Sequence, residues 1–382
     1  MKINYGLHYL DKKDIDFVSK SLKSNFLTQG TIIEKFEKKL KKKFGGKYCL
    51  ATSSGTAALH IAGIISGWNK KHKIICSPNT FVASSNSIIY SGATPIFTDI
   101  KDNNYNLDPN LCEDILKKNK IKAIVVTDYA GHPADWEDFN FLKKKYKVQL
   151  INDNCHAIGS KFKNRSDYST AYADLVTMSF HPVKNITTGE GGALFLNNEK
   201  LYHQAKLLRS HSIKRNSNSK KKMGMWYYDI NSLGYNYRLT EFQSALGITQ
   251  LDKLEKFVKR RNEIAKIYDK AFQKEEGIII PKKNFNIRHA YHLYPLKINF
   301  KKLKINKIKF FNYMKKNGVN FQVHYIPIHF HKYYQKEFNL KKNMFPVCED
   351  FYQQQVSLPI FYTLKNKDIF RVIRLMKKYL FK

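Results

Sequence analysis

The sequence predicts an α/β protein with two parts. The first is a large domain with a mainly parallel, seven-stranded sheet flanked by helices, and the second is a smaller C-terminal α+β domain. A chain of 382 residues is long enough for about two or three domains. Its composition, 43% hydrophobic and 14% aromatic, excludes a disordered protein. From about residue 47 to 174, apolar runs alternate with helical patterns, as in βαβ units. We place the domains at residues 1–250 and 251–382.

The individual elements follow from the spacing of the apolar residues. Short β-branched runs indicate strands that are covered on both faces, and apolar residues three or four positions apart indicate helices. Strands are therefore predicted at residues 73–77, 94–98, 123–127, 148–152, 175–179 and 192–197. Helices are predicted at residues 83–91, 110–118, 136–145 and 240–272, the last leading into the second domain. Residues 215–222 are polar and without periodicity, so they are predicted to form a loop.

The net charge is the most unusual feature of the composition. There are 67 Lys and Arg residues against 31 Asp and Glu, which gives a formal charge of +36. A surplus of this kind is typical of nucleic-acid-binding proteins. However, 58 of the 67 basic residues are lysines spread along the whole chain, whereas nucleic-acid recognition relies on arginine. We interpret the surplus as a lysine-rich surface and expect no nucleic-acid partner. A basic nucleic-acid-binding or regulatory protein stays as the alternative class.

The patterns of cysteine, histidine and apolar residues argue against several further classes of protein. The five cysteines are scattered and form no C-x-x-C pair, which argues against disulfides and cysteine zinc sites. No secretory signal and no apolar run of about 18 residues is present, so we expect a cytoplasmic protein without membrane contact. We expect no metal site, because none of the candidate histidines shows the spacing of metal ligands. These are His211, His289, His292, His329 and His331. We expect structural roles for them, or pocket-lining roles in the cases of His211 and His329.

Residues 53–60 (SSGTAALH) follow a strand-like run that ends at Ala51. Small residues there open an alanine-rich helix. The free N–H groups and the dipole at such a helix start favour a phosphate group. An ordinary helix cap is the alternative interpretation of this segment.

Asp153 and Lys184 follow two of the predicted strands. Ligands of parallel sheets bind outside the carboxyl ends of the strands, so the Asp153 carboxylate is expected in that crevice. His156, three residues later, can reach the same ligand. Lys184 lies five residues beyond Ser179 in a turn rich in Gly and Thr with apolar surroundings. A lysine in such a pocket can lose its proton and act as a nucleophile. A turn aspartate and an ordinary surface lysine are the alternatives.

Together, these three features match the needs of one cofactor. Pyridoxal 5′-phosphate requires a phosphate anchor, an Asp that pairs with its pyridine nitrogen, and a Lys that forms a Schiff base with it. The helix start at Gly55, Asp153 and Lys184 supply these groups in one predicted sheet. The sequence therefore predicts an enzyme that depends on pyridoxal 5′-phosphate.

The sequence resembles the DegT-type nucleotide-sugar aminotransferases, which have the fold type I of pyridoxal-phosphate-dependent transferases, over nearly its whole length. The matching segments are residues 27–30 (LTQG), 54–59 (SGTAAL), 80–83 (TFVA), 153–159 (DNCHAIG), 179–192, 208–211 (LRSH), 233–246 (LGYNYRLTEFQSAL), 324–327 (HYIP) and 357–359 (SLP). Relatives that dehydrate sugars carry His in place of Lys184. Ser212 stands where the family usually has Gly, so a positive φ there would cause a small local strain.

The resemblance implies a role for each predicted site residue. Lys184 would be the catalytic residue, which holds the cofactor and moves the proton. The residues implied to bind the cofactor are Gly55, Thr56 and Ser179 at the phosphate, Phe81 on the ring face, Asp153 at the pyridine nitrogen, His156 near the phenolic oxygen and, from the neighbouring subunit of a homodimer with shared active sites, Asn236. Those implied to bind the sugar nucleotide are Tyr5, Asn25, Phe26, Leu27, Thr28, His324, Tyr325, Ile326 and Pro327.

The resemblance also implies the substrates, L-glutamate and a nucleotide-linked keto sugar. Residues 129–131, 180–188, 226–228, 247–251 and 322–327 are most similar to one branch of the family. That branch aminates C4 of a UDP-linked 4-keto-6-deoxy-N-acetylhexosamine on the way to pseudaminic acid. Relatives that act on other UDP-, dTDP- or GDP-linked 3- or 4-keto sugars share most of these segments. Lysines 220–222 either attract the substrate diphosphate or are ordinary solvated side chains.

Overall fold

A computed structural model describes residues 2–282 and 284–381, with the backbone alone for residues 217–219. The strands are β1 (Tyr48–Thr52), β2 (Lys73–Cys76), β3 (Thr94–Phe97), β4 (Ala123–Thr127), β5 (Gln149–Asp153), β6 (Lys161–Phe162), β7 (Leu175–Ser179), β8 (Gly192–Leu196), β9 (Ile213–Lys214), β10 (Asp229–Ile230), β11 (Ile278–Ile279), β12 (Ile287–Arg288), β13 (Tyr294–Ile298) and β14 (Gln355–Leu358).

Helices make up most of the remaining regular structure. They are α1 (Lys12–Leu22), α2 (Thr31–Phe44), α3 (Gly55–Ile65), α4 (Val82–Tyr90), α5 (Pro109–Lys118), α6 (Trp136–Tyr146), α7 (Tyr168–Tyr172), α8 (Glu199–Leu208), α9 (Ser217–Met223), α10 (Glu241–Phe272), α11 (Lys307–Lys316), α12 (Lys332–Phe338), α13 (Pro346–Gln354) and α14 (Asn366–Leu380). None of those within the described ranges has the length and apolar character needed to span a membrane.

The large sheet has seven strands in the order β1-β8-β7-β5-β4-β2-β3. Strands β7, β5, β4, β2 and β3 pair in parallel, and β8 is antiparallel to both of its neighbours. The predicted mainly parallel, seven-stranded sheet is therefore confirmed. Successive side chains of β1 enter different cores, Leu50 on one side and Cys49 with Ala51 on the other. Helices cover both faces, which explains the continuous apolar runs of the central strands.

The predicted strands and long helices agree with the structure within about two residues, the usual uncertainty of element boundaries. The predicted loop at residues 215–222 is wrong in part, because α9 occupies most of it. Its three consecutive lysines are good helix formers even without an apolar face. Ser212 has φ +55°, so the expected local strain at this position is confirmed.

A second, smaller sheet, β11-β13-β14, packs against α11, α14 and the last turns of α10. Helix α10 is continuous for 32 residues. Leu254 and Phe257 of this helix belong to the core of the large sheet, whereas Tyr268 and Phe272 belong to the core of the small sheet. The predicted domain boundary at residue 250 falls inside this unbroken helix and stays a prediction. The segment from Ile328 to residue 351 also packs against the large sheet.

Candidate active site

The carboxyl ends of two neighbouring strands and the start of one helix meet in a cavity of about 600 Å³. Asp153 is the last residue of β5 and Ser179 the last of β7, and these strands pair in parallel. Ten predicted site residues line the cavity: Tyr5, Gly55, Thr56, Phe81, Asp153, His156, Ser179, Lys184, His324 and Tyr325. The fold thus brings together residues that are far apart in the sequence.

Asp153 is held in place by neutral donors. Ser84 Oγ donates to Asp153 Oδ2 at 2.5 Å, and the backbone N–H of Cys155 donates to Oδ1 at 3.2 Å. Thr80 Oγ1 lies 2.8 Å from Ser84 Oγ and extends this chain of hydroxyl groups. No ion pair to Asp153 occurs in the part of the chain that the structure describes. A buried carboxylate with neutral partners is suited to a cationic ligand, because an unpaired buried charge is costly.

The start of α3 forms an anion cradle beside Asp153. Ser54 caps the helix through a hydrogen bond that its Oγ accepts from the backbone N–H of Ala57 at 3.0 Å. The first N–H groups of a helix have no partner within it, so those of Gly55 and Thr56 are available to a ligand. Gly55 allows close approach, because a Cβ there would lie 2.8 Å from Ser179 Cβ and 3.1 Å from Cys155 Sγ.

We expect the Gly55→Ala variant to bind pyridoxal 5′-phosphate at least about tenfold more weakly. The added methyl group would displace the helix start or Ser179, and a misplaced hydrogen-bond set loses about 1–3 kcal/mol. Fluorescence titration of the cofactor-free protein measures the affinity. Thermal unfolding without cofactor separates this effect from a general loss of stability. Wild-type affinity in a variant with wild-type thermal stability would contradict the proposed cradle.

Lys184 lies in the turn after β7 and is partly buried. Its Nζ is 3.5 Å from His292 Nε2, and no ion pair to this lysine occurs within the described ranges. Burial lowers the pKa of Lys184, although the nearby Cys155 and Asp153 oppose the change. A larger fraction of this amine is therefore neutral at pH 7 than for a surface lysine, and the neutral amine is the nucleophilic form.

Aromatic side chains and neutral histidines also line the cavity. His156 Nε2 is 2.9 Å from the Tyr325 hydroxyl, while its Nδ1 faces the backbone N–H of Ala130 at 3.4 Å. Burial and the Lys184 charge lower the pKa of His156, and the same two causes lower the pKa of His324 to about 3. Both rings are therefore neutral at physiological pH. Phe81 lies 5.8 Å from Tyr325, ring centre to ring centre, at the mouth of the cavity.

Seven predicted residues lie outside this cavity: Asn25, Phe26, Leu27, Thr28, Asn236, Ile326 and Pro327. The 25–28 stretch is exposed, and its Leu27 carbonyl accepts a hydrogen bond from the backbone N–H of Glu241 at 2.9 Å. Asn236 is also exposed and pairs with Ser210 in an isolated bridge. Ile326 lines an adjoining groove of about 530 Å³.

Sequence reasoning missed two residues of the site. Ser84 orients Asp153 from 69 residues away, and His292 contacts Lys184 from 108 residues away, so no local pattern indicates either role. The pocket-lining role expected for His211 and His329 is wrong for this cavity. His329 is instead fully buried, with Nε2 2.9 Å from a carboxylate oxygen of Glu349.

The residues present fit pyridoxal 5′-phosphate. The α3 cradle suits a phosphate, Asp153 suits a protonated ring nitrogen, and the Lys184 amine suits an aldehyde. The described residues contain no group of three or more His, Cys, Asp or Glu that could hold a metal ion.

Comparison with known proteins agrees with this geometry. The DegT/DnrJ/EryC1/StrS aminotransferase family matches residues 8–377. The chain belongs to this family. Its aminotransferases depend on pyridoxal 5′-phosphate, which confirms the enzyme class and the cofactor predicted from the sequence. The resemblance to this family and the fold class predicted from the sequence are confirmed as well.

Several members of the family are similar along nearly the whole chain. A UDP-4-amino-4,6-dideoxy-N-acetyl-beta-L-altrosamine transaminase of Campylobacter jejuni is 36% identical over 98% of this chain and 99% of its own. The spore coat polysaccharide biosynthesis protein SpsC of Bacillus subtilis is 34% identical over 98% of this chain and 96% of its own. The structure of Helicobacter pylori PseC, an aminotransferase of pseudaminic acid biosynthesis, has a TM-score of 0.91, is 32% identical, and covers 100% of this chain and 99% of its own.

Proposed function

We propose that this DegT-family sugar aminotransferase transfers the amino group of L-glutamate to C4 of a UDP-linked 4-keto-6-deoxy-N-acetylhexosamine. The observation that carries the aminotransferase activity is the meeting of Lys184, Asp153 and the α3 N-terminus in one cavity. The sugar is supported by the similarity to the Campylobacter transaminase and to PseC. The similarity to SpsC is almost as high, so an aminotransferase for another nucleotide-linked keto sugar is the second candidate.

In this proposal the chain holds the cofactor by its phosphate and by its ring nitrogen. Backbone N–H groups of Gly55 and Thr56 donate to the phosphate, together with the hydroxyl of Ser179. Asp153 accepts a hydrogen bond from the ring nitrogen and keeps it protonated, because a carboxylate stabilises a neighbouring cation. When bound, pyridoxal 5′-phosphate carries the amino group between the two substrates and accepts the electrons of the broken C–H bond.

The remaining residues act on the ring and on the proton. Phe81 would cover one face of the ring, and His156 would lie near its phenolic oxygen. Lys184 would take a proton from the carbon that bears the amino group of the donor and return it to the cofactor. For the keto sugar, Lys184 would move a proton in the opposite direction, from the cofactor to the sugar carbon. Such a group must be neutral when it accepts the proton, in agreement with the lowered pKa of Lys184.

We further propose that Tyr5, His324 and Tyr325 contact the sugar in this cavity. We propose that the protein forms a homodimer with shared active sites. The predicted site residues that lie outside this cavity would then contribute to the active site of the second copy. Large exposed apolar side chains support that arrangement: Phe26 is 65% exposed, Trp226 79% and Leu233 78%. Burial of such side chains against a second subunit would remove apolar surface from water.

Incubation with L-glutamate and a set of nucleotide-linked keto sugars tests the function. The set contains UDP-, dTDP- and GDP-linked sugars with the keto group at C3 or C4, with and without an N-acetyl group. Release of 2-oxoglutarate and the mass of the product report turnover, and the position of the new amine is assigned by NMR. We expect the highest kcat/KM for the UDP-linked 4-keto-6-deoxy-N-acetylhexosamine. A preference for a dTDP or GDP sugar would contradict the sugar assignment alone.

Lysines 220–222 of α9 test the role of the surface charge. We expect replacement of all three by Gln to raise KM for the nucleotide sugar about two- to fivefold at low salt and to leave kcat unchanged, because exposed charges steer an anionic substrate. Gln at the exposed lysines 309, 315 and 316 of α11 removes the same charge elsewhere and serves as the control. An unchanged KM in the α9 variant would identify its lysines as ordinary solvated side chains.

A further inference from the structure

His292 enters the cavity from the segment that precedes β13. The side chain is 4% exposed, and its Nε2 lies 3.5 Å from Lys184 Nζ. No other hydrogen bond to this amine is found within the described part of the chain. The other imidazole nitrogen, Nδ1, is buried and has no hydrogen-bond partner among the described residues. Lys184 is therefore the only hydrogen-bond partner of the His292 ring among the described residues, and the ring also packs against that of His156 at 4.6 Å between centroids.

A buried arginine binds the backbone around His292, and the residue before His292 has a positive φ. Arg261 of α10 is 3% exposed, and one of its guanidinium nitrogens donates to the carbonyls of Tyr291 at 3.0 Å, His292 at 3.3 Å and Ile360 at 2.7 Å. Burial lowers the pKa of Arg261 to about 10, so the side chain is still charged at pH 7. Tyr291 has φ +45°, a strained conformation for a bulky residue. Strain of this kind persists where the surrounding structure enforces it, and it is concentrated at functional sites.

The unpartnered Nδ1 indicates which tautomer His292 adopts. A proton on Nδ1 would bury an N–H donor without an acceptor, which is rare in proteins. A proton on Nε2 leaves only a lone pair without a partner, and the Nε2–H then points to Lys184. An N–H donor can bind the Lys184 nitrogen only when that nitrogen carries a lone pair, that is, when the amine is neutral.

We propose that His292 is a positioning residue, which donates its Nε2–H to the Lys184 amine and thereby favours and orients the neutral form of that amine. The proposal rests on the proposed role of Lys184 as the proton carrier. No other titratable group that lines the cavity, among them Tyr5, His181, Glu190 and Tyr325, forms a hydrogen bond with Lys184 Nζ in the described part of the chain. Asp153 and Cys155 favour its charged form, while His156 and His324 are neutral and make their hydrogen bonds elsewhere.

The protonation of Lys184 can be measured in cofactor-free protein. The amine is acetylated competitively with acetic anhydride at a series of pH values, and mass spectrometry follows the peptide that contains Lys184. His292→Gln fills a similar volume and keeps an N–H donor at the corresponding position, whereas His292→Met fills it without a donor. We expect the midpoint of acetylation to shift up by about one pH unit in the Met variant and to stay near the wild-type value in the Gln variant.

Turnover and a matched control complete the test. We expect kcat to fall about 100-fold in His292→Met, with the acid limb of its pH profile moved to higher pH, and less than about tenfold in His292→Gln. His329→Met changes a buried histidine outside the cavity and should lower the melting temperature without moving the Lys184 midpoint. Equal midpoints in the two His292 variants, or a lower midpoint in the Met variant, would overturn the proposal. Because the acetylation needs neither cofactor nor sugar, its outcome is independent of whether the proposed function is correct.

Discussion

Replacing Lys184 with Ala is expected to lower turnover by about 10⁴-fold or more, because the variant would lose both the proposed covalent attachment of the cofactor and the proposed proton carrier. Lys184 is the only lysine that lines the cavity among the described residues, so no other amine is placed to take over. Lys184→Arg should be equally inactive, because a guanidinium remains protonated and cannot act as a base. Release of 2-oxoglutarate from L-glutamate in the presence of the keto sugar measures the loss.

Two controls make the Lys184 result specific. Lys309→Ala, on the exposed side of α11, removes a lysine far from the cavity lining and should keep full activity. Thermal unfolding shows whether the Lys184 variants are folded. If a folded Lys184→Ala protein retained wild-type transamination, Lys184 would not be the proton carrier, and the proposed mechanism would be wrong.

Asp153→Asn is expected to lower kcat by about 10³-fold, since an amide cannot hold the ring nitrogen of the cofactor in its protonated form. The amide is close in size to the carboxylate and can still bond with Ser84 and the Cys155 N–H, so the fold should be preserved. The absorbance spectrum and the dissociation constant of the bound cofactor provide readouts besides kcat.

Ser84→Ala separates the charge of Asp153 from its orientation. This variant keeps the carboxylate but removes the hydroxyl that donates to Oδ2 at 2.5 Å. We expect a loss of about tenfold in kcat, well below that of Asp153→Asn, because one hydrogen bond contributes about 1–1.5 kcal/mol. If Ser84→Ala and Asp153→Asn were equally impaired, orientation and not charge would be the important property of Asp153.

The large sheet could be predicted because its strands carry a strong local signal. β4 is buried at every position, so its residues form an unbroken apolar run, and α5 is amphipathic and begins at an Asp108 cap. The direction of β8 could not be predicted, because an antiparallel strand buried on both faces has the same apolar pattern as a parallel one. The individual strands of the small sheet were not predicted either, since a strand such as β11 has only two residues and carries no pattern.

The site also contains residues with a local signal in the sequence and residues without one. Gly55, Asp153 and Lys184 each lie at or shortly after the end of a strand, so the general position of ligand sites in parallel sheets was enough to group them. Ser84 and His292 act through contacts that exist only after folding, with Asp153 and Lys184 respectively. The residues proposed to bind the cofactor directly had recognisable surroundings in the sequence, whereas those proposed to orient them did not.

The unbroken helix α10 has a consequence for how the protein unfolds. Its side chains complete two hydrophobic cores, that of the large sheet through Leu254 and that of the small sheet through Tyr268, only 14 positions along one helix. A helix of this kind cannot melt in its middle without exposing apolar surface of both cores. The two sheets are therefore thermodynamically coupled, and heat should denature them together in one calorimetric transition. The cavity that holds Lys184 would then persist up to the melting temperature of the whole chain.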